Sequence, residues 1–169
     1  LGISIPVGKD SMSMQTTWEE GNLKSVESPL SLIVSAFSET YDVNKTLTPE
    51  IHSIEKSSLI LIDLGNGKNR MGGSSFNAVH HIYEDEVPDL DDAKLIKSFF
   101  EGIQHLNKKN KILAYHDRSD GGLITTILEM AFAGHCGIDL NLNKDDESIK
   151  FLFNEELGAV IQVANNDVA

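Results

Sequence analysis

Apolar positions fall into short runs separated by polar loops, and the spacing inside each run predicts its local structure. Residues 3–7 are apolar with Pro6 among them and are followed by Gly8-Lys9-Asp10-Ser11, the pattern of a strand end emptying into a polar loop. Residues 16–28 are polar with one tryptophan, Trp18, and mark the expected boundary between a segment 1–28 and a segment 29–169. After Pro29 the run 30–37 predicts a buried strand. The run Leu59-Ile60-Leu61-Ile62-Asp63-Leu64 is apolar without alternation and predicts a strand buried on both faces, central in its sheet rather than at an edge.

Helical spacing appears next. Ser74 or Ser75 is placed to cap a helix running toward Tyr83. Pro88-Asp89-Leu90-Asp91-Asp92 opens a longer helix in which Ile96, Phe99, Phe100, Ile103 and Leu106 recur on one face. Residues 112–115 predict a short strand leading into His116-Asp117-Arg118-Ser119-Asp120-Gly121-Gly122, and residues 123–132 an apolar helix stopped near Gly134. Alternation over 138–142 and the run 157–163 predict two further strands. Helices and strands mixed in this way predict an α+β layered domain with helices packed on a mixed β-sheet.

Composition narrows the function classes. The 169 residues carry 26 acidic and 14 basic side chains, a formal charge of -12, which disfavours nucleic acid and anionic membrane surfaces as partners. Cys136 is the single cysteine, so the chain has no internal disulfide and suits a reducing cytoplasm. Beside Phe132 and Ile138 it reads as a small core thiol. No apolar run approaches the roughly 20 residues of a membrane helix. A start at Leu1 and a stop just after an apolar run lead to the expectation of a segment cut from a longer protein.

Two loops offer chemistry. Asp117-Arg118-Ser119-Asp120-Gly121-Gly122 combines carboxylates suited to Mg²⁺, a hydroxyl, and glycines that let backbone N–H groups approach phosphate at a helix start. The same residues equally suit a helix cap, from Ser119 or Asp120, followed by a glycine turn. Gly8-Lys9-Asp10-Ser11 lacks the leading glycine and the hydroxyl directly after lysine that a P-loop needs, and a solvated turn accounts for it. The loop from Asn66 to Ser74 is glycine-rich and fits either phosphate contact or a plain connection. His80, His81, His116 and His135 lack the paired spacing of a zinc site and read as structural. Glu155-Glu156 reads as a charged surface turn.

Four stretches together resemble the second synthase half of the large, single-chain phosphoribosylformylglycinamidine synthases. They are Ile5-Pro6-Val7-Gly8-Lys9-Asp10-Ser11-Met12-Ser13-Met14, residues 31–37, His116-Asp117-Arg118-Ser119-Asp120-Gly121-Gly122-Leu123, and Phe153-Asn154-Glu155-Glu156-Leu157-Gly158-Ala159-Val160. Glu129-Met130-Ala131-Phe132-Ala133-Gly134-His135-Cys136-Gly137 resembles the segment that follows the family's aspartate-glycine loop. The resemblance implies that residues 1–28 close an aminoimidazole-ribonucleotide-synthetase-like N-terminal domain and its connector. Residues 29–169 would then be the C-terminal domain without its final segment. It further implies an ATP-dependent ligase converting formylglycinamide ribonucleotide and glutamine to formylglycinamidine ribonucleotide, inactive as this segment alone. The implied partners are the remaining synthase and glutaminase domains and small-molecule substrates.

By the same resemblance Asp117 would ligate Mg²⁺ and Ser119 would contact ATP or ADP at an auxiliary, largely structural nucleotide site. Gly8, Lys9 and Ser11 would face nucleotide, with Asp10 a second metal ligand. The family's catalytic histidine and glutaminase cysteine lie outside these residues, so His116 and Cys136 inherit neither role. Two other readings stand beside this one: a noncatalytic packing module that holds the synthase in shape, and a related aminoimidazole ribonucleotide synthetase.

Overall fold

The structure, a computed structural model, describes residues 4–8, 14–28, 32–53, 56–142 and 148–168. They form two compact units, divided between Tyr41 and Asp42.

In the first unit, β1 (Gln15–Glu20) and β2 (Asn22–Glu27) pair antiparallel, with Thr16 opposite Val26 and Trp18 opposite Lys24. Gly21 makes the turn at φ +74, a left-handed conformation that costs glycine little. This hairpin occupies the stretch taken as a polar boundary. Its signal was the Gly21-Asn22 pair between β-branched and aromatic residues. Residues 4–8 and 32–40 belong to no strand, and Leu32, Ile33 and Phe37 are among the most exposed apolar side chains. The strands expected at 3–7 and 30–37 are therefore not formed over their described residues. An apolar run becomes a strand only where a neighbour accepts its backbone bonds.

The second unit is built on a three-stranded sheet. β3 (Ser57–Asp63), β4 (Ala114–Asp117) and β5 (Gly158–Ala164) lie in the order β3-β5-β4. The domain is α+β as expected, and both ladders of the sheet expected to be mixed run antiparallel. β5 takes the central position, so β3 lies at an edge among the described residues rather than in the middle.

The helices explain why β3 is apolar at every position from Leu59 to Ile62. α2 (Ala93–Lys108) covers one face of the sheet and α3 (Gly122–Ala133) the other. Leu59, Leu61 and Val160 join Leu123, Ile127 and Met130 on the α3 side, while Ile60, Ile62, Ile161 and Val163 join Phe99 and Ile103 on the α2 side. The period of two along each strand thus feeds two cores.

Local signals set the helix ends. Ser74 caps α1 (Ser75–His80) by accepting from the Asn77 N–H at 3.2 Å, and Asp92 caps α2 by accepting from the Lys94 N–H at 2.8 Å. α4 (Ile149–Phe153), capped by Ser148, precedes β5, and its Phe153 ring lies 4.9 Å from that of Phe76 in α1. Residues 138–142 form no strand. Ile138 instead drops into the α3-side core from an irregular segment. Cys136 is exposed, not a core thiol, because the chain leaves α3 at Gly134 and turns outward through His135 at φ 51.

Candidate functional site

The polar loop after β4 is positioned by its own middle residue. Asp117 and Ser119 are exposed, whereas Arg118 between them is 5% exposed and points inward. Its guanidinium donates to the carbonyl of Glu156 at 2.6 Å, to that of Leu157 at 2.9 Å and to the Asp63 carboxylate at 2.5 Å. Arg118 therefore ties the loop to the ends of β3 and β5. Burial pushes the Asp63 carboxyl up, but the Gly67 N–H, the Arg118 guanidinium and the Gly65 N–H together hold it below its ordinary value of 3.8.

That depression has a measurable consequence. The unfolded chain takes up the proton first, so the stability contributed by Asp63 is complete above pH 4 and is lost as pH falls through the folded-state value. Asp63→Asn is expected to lower stability at pH 7 and to flatten the acid limb of a stability-versus-pH curve. An unchanged acid limb in urea titrations between pH 2 and 7 would contradict this role.

Glu155 and Glu156 are not a solvated turn. Glu156 is fully buried, and both its oxygens accept from Arg70: Nε at 2.6 Å and the backbone N–H at 3.0 Å on one, Nη2 at 2.7 Å on the other. Hydrogen bonding from Glu156, opposed by burial and supported by the charges of Glu156 and Asp91, holds the Arg70 guanidinium firmly protonated. Arg70 also reaches Asp91, which Lys68 engages at 2.9 Å. The glycine-rich loop from Asn66 to Ser74 is thus pinned by an internal carboxylate.

Glu155 takes the other direction. Its Oε1 accepts from the Gly121 N–H at 2.7 Å and from the Ser75 N–H at 2.8 Å, and so sits at the starts of both α3 and α1. Neither Ser119 nor Asp120 caps α3; its first turn has no side-chain cap, and Gly121 at φ +85 leads into it. The Gly122 N–H donates to the carbonyl of Ser119 at 3.0 Å. The backbone donors expected to meet phosphate are already engaged within the chain.

What faces outward is smaller. Asp117 is exposed at the end of β4, and one of its oxygens accepts from the Tyr115 hydroxyl at 2.5 Å. Burial first, then the Asp117 carboxylate, pushes the Tyr115 hydroxyl well above its ordinary value, keeping it a donor. Ser119 presents its side chain two residues further on. His116 contacts Glu129 at 2.7 Å, in keeping with a structural role.

Among the described residues no group of three or more His, Cys, Asp or Glu side chains is arranged to hold a metal ion. Mg²⁺ is commonly bound through one or two carboxylates plus phosphate oxygens and water, so the exposed Asp117 fits such an ion in kind and would supply part of its shell. Of the other loop, Gly8 is exposed, and Lys9, Asp10 and Ser11 lie outside the described residues. Sequence reasoning gave no role in this region to Asp63, Arg70, Tyr115 or Arg118, and read Glu155 as part of a surface turn. Only Tyr115 carried a local signal, its two-residue spacing from Asp117 on a strand.

These features define an α+β domain whose strand-loop-helix corner is braced by buried ion pairs and presents the Asp117 and Asp120 carboxylates and the Ser119 hydroxyl to solvent. Residues 57–169 match the family described as "AIR synthase related protein, C-terminal domain", and residues 1–39 match the "FGAR-AT PurM_N-like domain". The first match covers more than half of the chain, and the chain belongs to the AIR synthase related family. The second match adds that it is of the FGAR amidotransferase type.

Proposed function

We propose that this chain is part of an ATP-dependent ligase of purine biosynthesis that converts formylglycinamide ribonucleotide, with glutamine as the ammonia source, to formylglycinamidine ribonucleotide in the cytoplasm. The observation that carries this reading is the succession of the two family matches, an FGAR-AT PurM_N-like segment and then an AIR synthase C-terminal domain, in one chain. In this role the chain works with the remaining synthase and glutaminase domains, and contributes one wall of an auxiliary Mg·ADP site. Asp117 offers a carboxylate to Mg²⁺ and Ser119 a hydroxyl to the nucleotide. By the resemblance, Gly8, Lys9 and Ser11 would contact nucleotide and Asp10 would ligate metal. Bound Mg²⁺ would supply positive charge against the phosphates. Arg118 and Glu155 hold the loop in place and do not themselves bind.

One observation favours the packing-module reading instead: Glu155 already accepts from the Gly121 N–H at the start of α3. Calorimetric titration of Mg·ADP into the full-length enzyme separates the two. Asp117→Ala is expected to weaken binding about tenfold, or about 1.4 kcal/mol. Equal affinity in parent and variant would remove Asp117 from the site and leave the packing role.

A further inference from the structure

We propose that Tyr115 is the positioning residue for the Asp117 carboxylate, holding one oxygen so that the other meets a divalent cation in a fixed direction. The proposal rests on the reading that Asp117 is an Mg²⁺ ligand. Its physical basis is independent of that reading. Tyr115 and Asp117 are two apart on β4 and so share a face of the sheet, and β5 locks both, pairing Tyr115 with Ile161 and Asp117 with Ala159.

The tyrosine is held from below. Its ring packs against the cluster of Ile103, Ile112, Ile161 and Val163, while its hydroxyl emerges to donate to Asp117 Oδ1 at 2.5 Å. That length is typical of a hydroxyl bonded to a charged carboxylate. Asp117 is exposed, and without such a bond its side chain would sample several rotamers in water. Mg²⁺ demands near-octahedral geometry, and a carboxylate with one oxygen already engaged by a hydroxyl donor enters its shell through a single oxygen. Hydrogen bonds of this supporting kind change metal affinity by about 10–100-fold when removed.

The test is Tyr115→Phe in the full-length enzyme, which keeps the ring and removes only the hydroxyl. Mg·ADP is titrated calorimetrically into the parent, this variant and Asp117→Ala, and ADP alone is titrated in the presence of EDTA. The expected result is an affinity for Mg·ADP about tenfold weaker in Tyr115→Phe. Binding of ADP without metal and the thermal midpoint should match the parent. A double variant Tyr115→Phe/Asp117→Ala should bind no more weakly than Asp117→Ala alone. Full affinity in Tyr115→Phe beside a loss in Asp117→Ala overturns the role of Tyr115 and leaves that of Asp117. A loss in Tyr115→Phe that persists in EDTA makes the tyrosine merely structural. Full affinity in Asp117→Ala overturns both assignments together.

Discussion

Glu156→Ala is expected to remove about 3–5 kcal/mol of stability, the usual cost of deleting one member of a buried ion pair. The side chain is 0% exposed and supplies every acceptor for the Arg70 backbone N–H and Nε. Its loss leaves these donors facing a cavity that the surrounding backbone cannot fill. Domains of this size carry about 5–15 kcal/mol in total, so the variant should unfold at markedly lower urea. Replacing both partners, Glu156→Leu with Arg70→Met, should recover most of the deficit because no charge is then stranded. A urea midpoint for Glu156→Ala equal to that of the parent would refute the assignment.

Gly122→Ala is expected to be nearly as damaging, and for a reason unrelated to phosphate. Gly122 has φ +73, a conformation that costs an L-residue about 1–2 kcal/mol. A Cβ there would lie 2.6 Å from the carbonyl oxygen of Asn154 and 2.7 Å from the carbonyl carbon of Phe153. These are backbone atoms, and they move only if the end of α4 moves. Overpacking of this kind adds about 1–3 kcal/mol, for a total near 2–5 kcal/mol in denaturant titrations. A loss below about 1 kcal/mol would mean that α4 yields easily. Gly122 thus serves close packing against the end of α4, and Gly121 the close approach of Thr125 in α3, alongside any role toward a ligand.

Local pattern made part of this legible. α2 and α3 were predicted almost to their ends because their apolar residues recur at helical spacing, with the Asp92 cap marking the start of α2 and Gly134 the stop of α3. The runs that became β3, β4 and β5 were equally visible, but their order was not. Pairing of Ser57 with Ala164 is a contact across most of the unit and leaves no trace in either neighbourhood. The same distance hid the buried charges. Arg70 and Glu156 are 86 residues apart, and Arg118 and Asp63 are 55 apart. Glu156, read singly, looked like surface, and nothing local paired Arg70, Arg118 or Asp63 with a partner. The hairpin was missed because all twelve of its strand residues are exposed, so only turn chemistry marked it. At the candidate site, Asp117 and Ser119 were found through motif and resemblance, while the bond from Tyr115 and the brace from Glu155 required coordinates.

The strand order also dictates when the sheet can come into being during synthesis. β3 and β4 form ladders only with β5 among the described residues, and β5 is made last of the three. A growing chain therefore carries β3 and β4 past the ribosome with no ladder between them until β5 has emerged. Closing so long a loop costs entropy before any bond repays it, which slows folding and lengthens the interval in which β3 lies bare. During that interval the unpaired edges of β3 and its apolar positions are exposed to association with other chains.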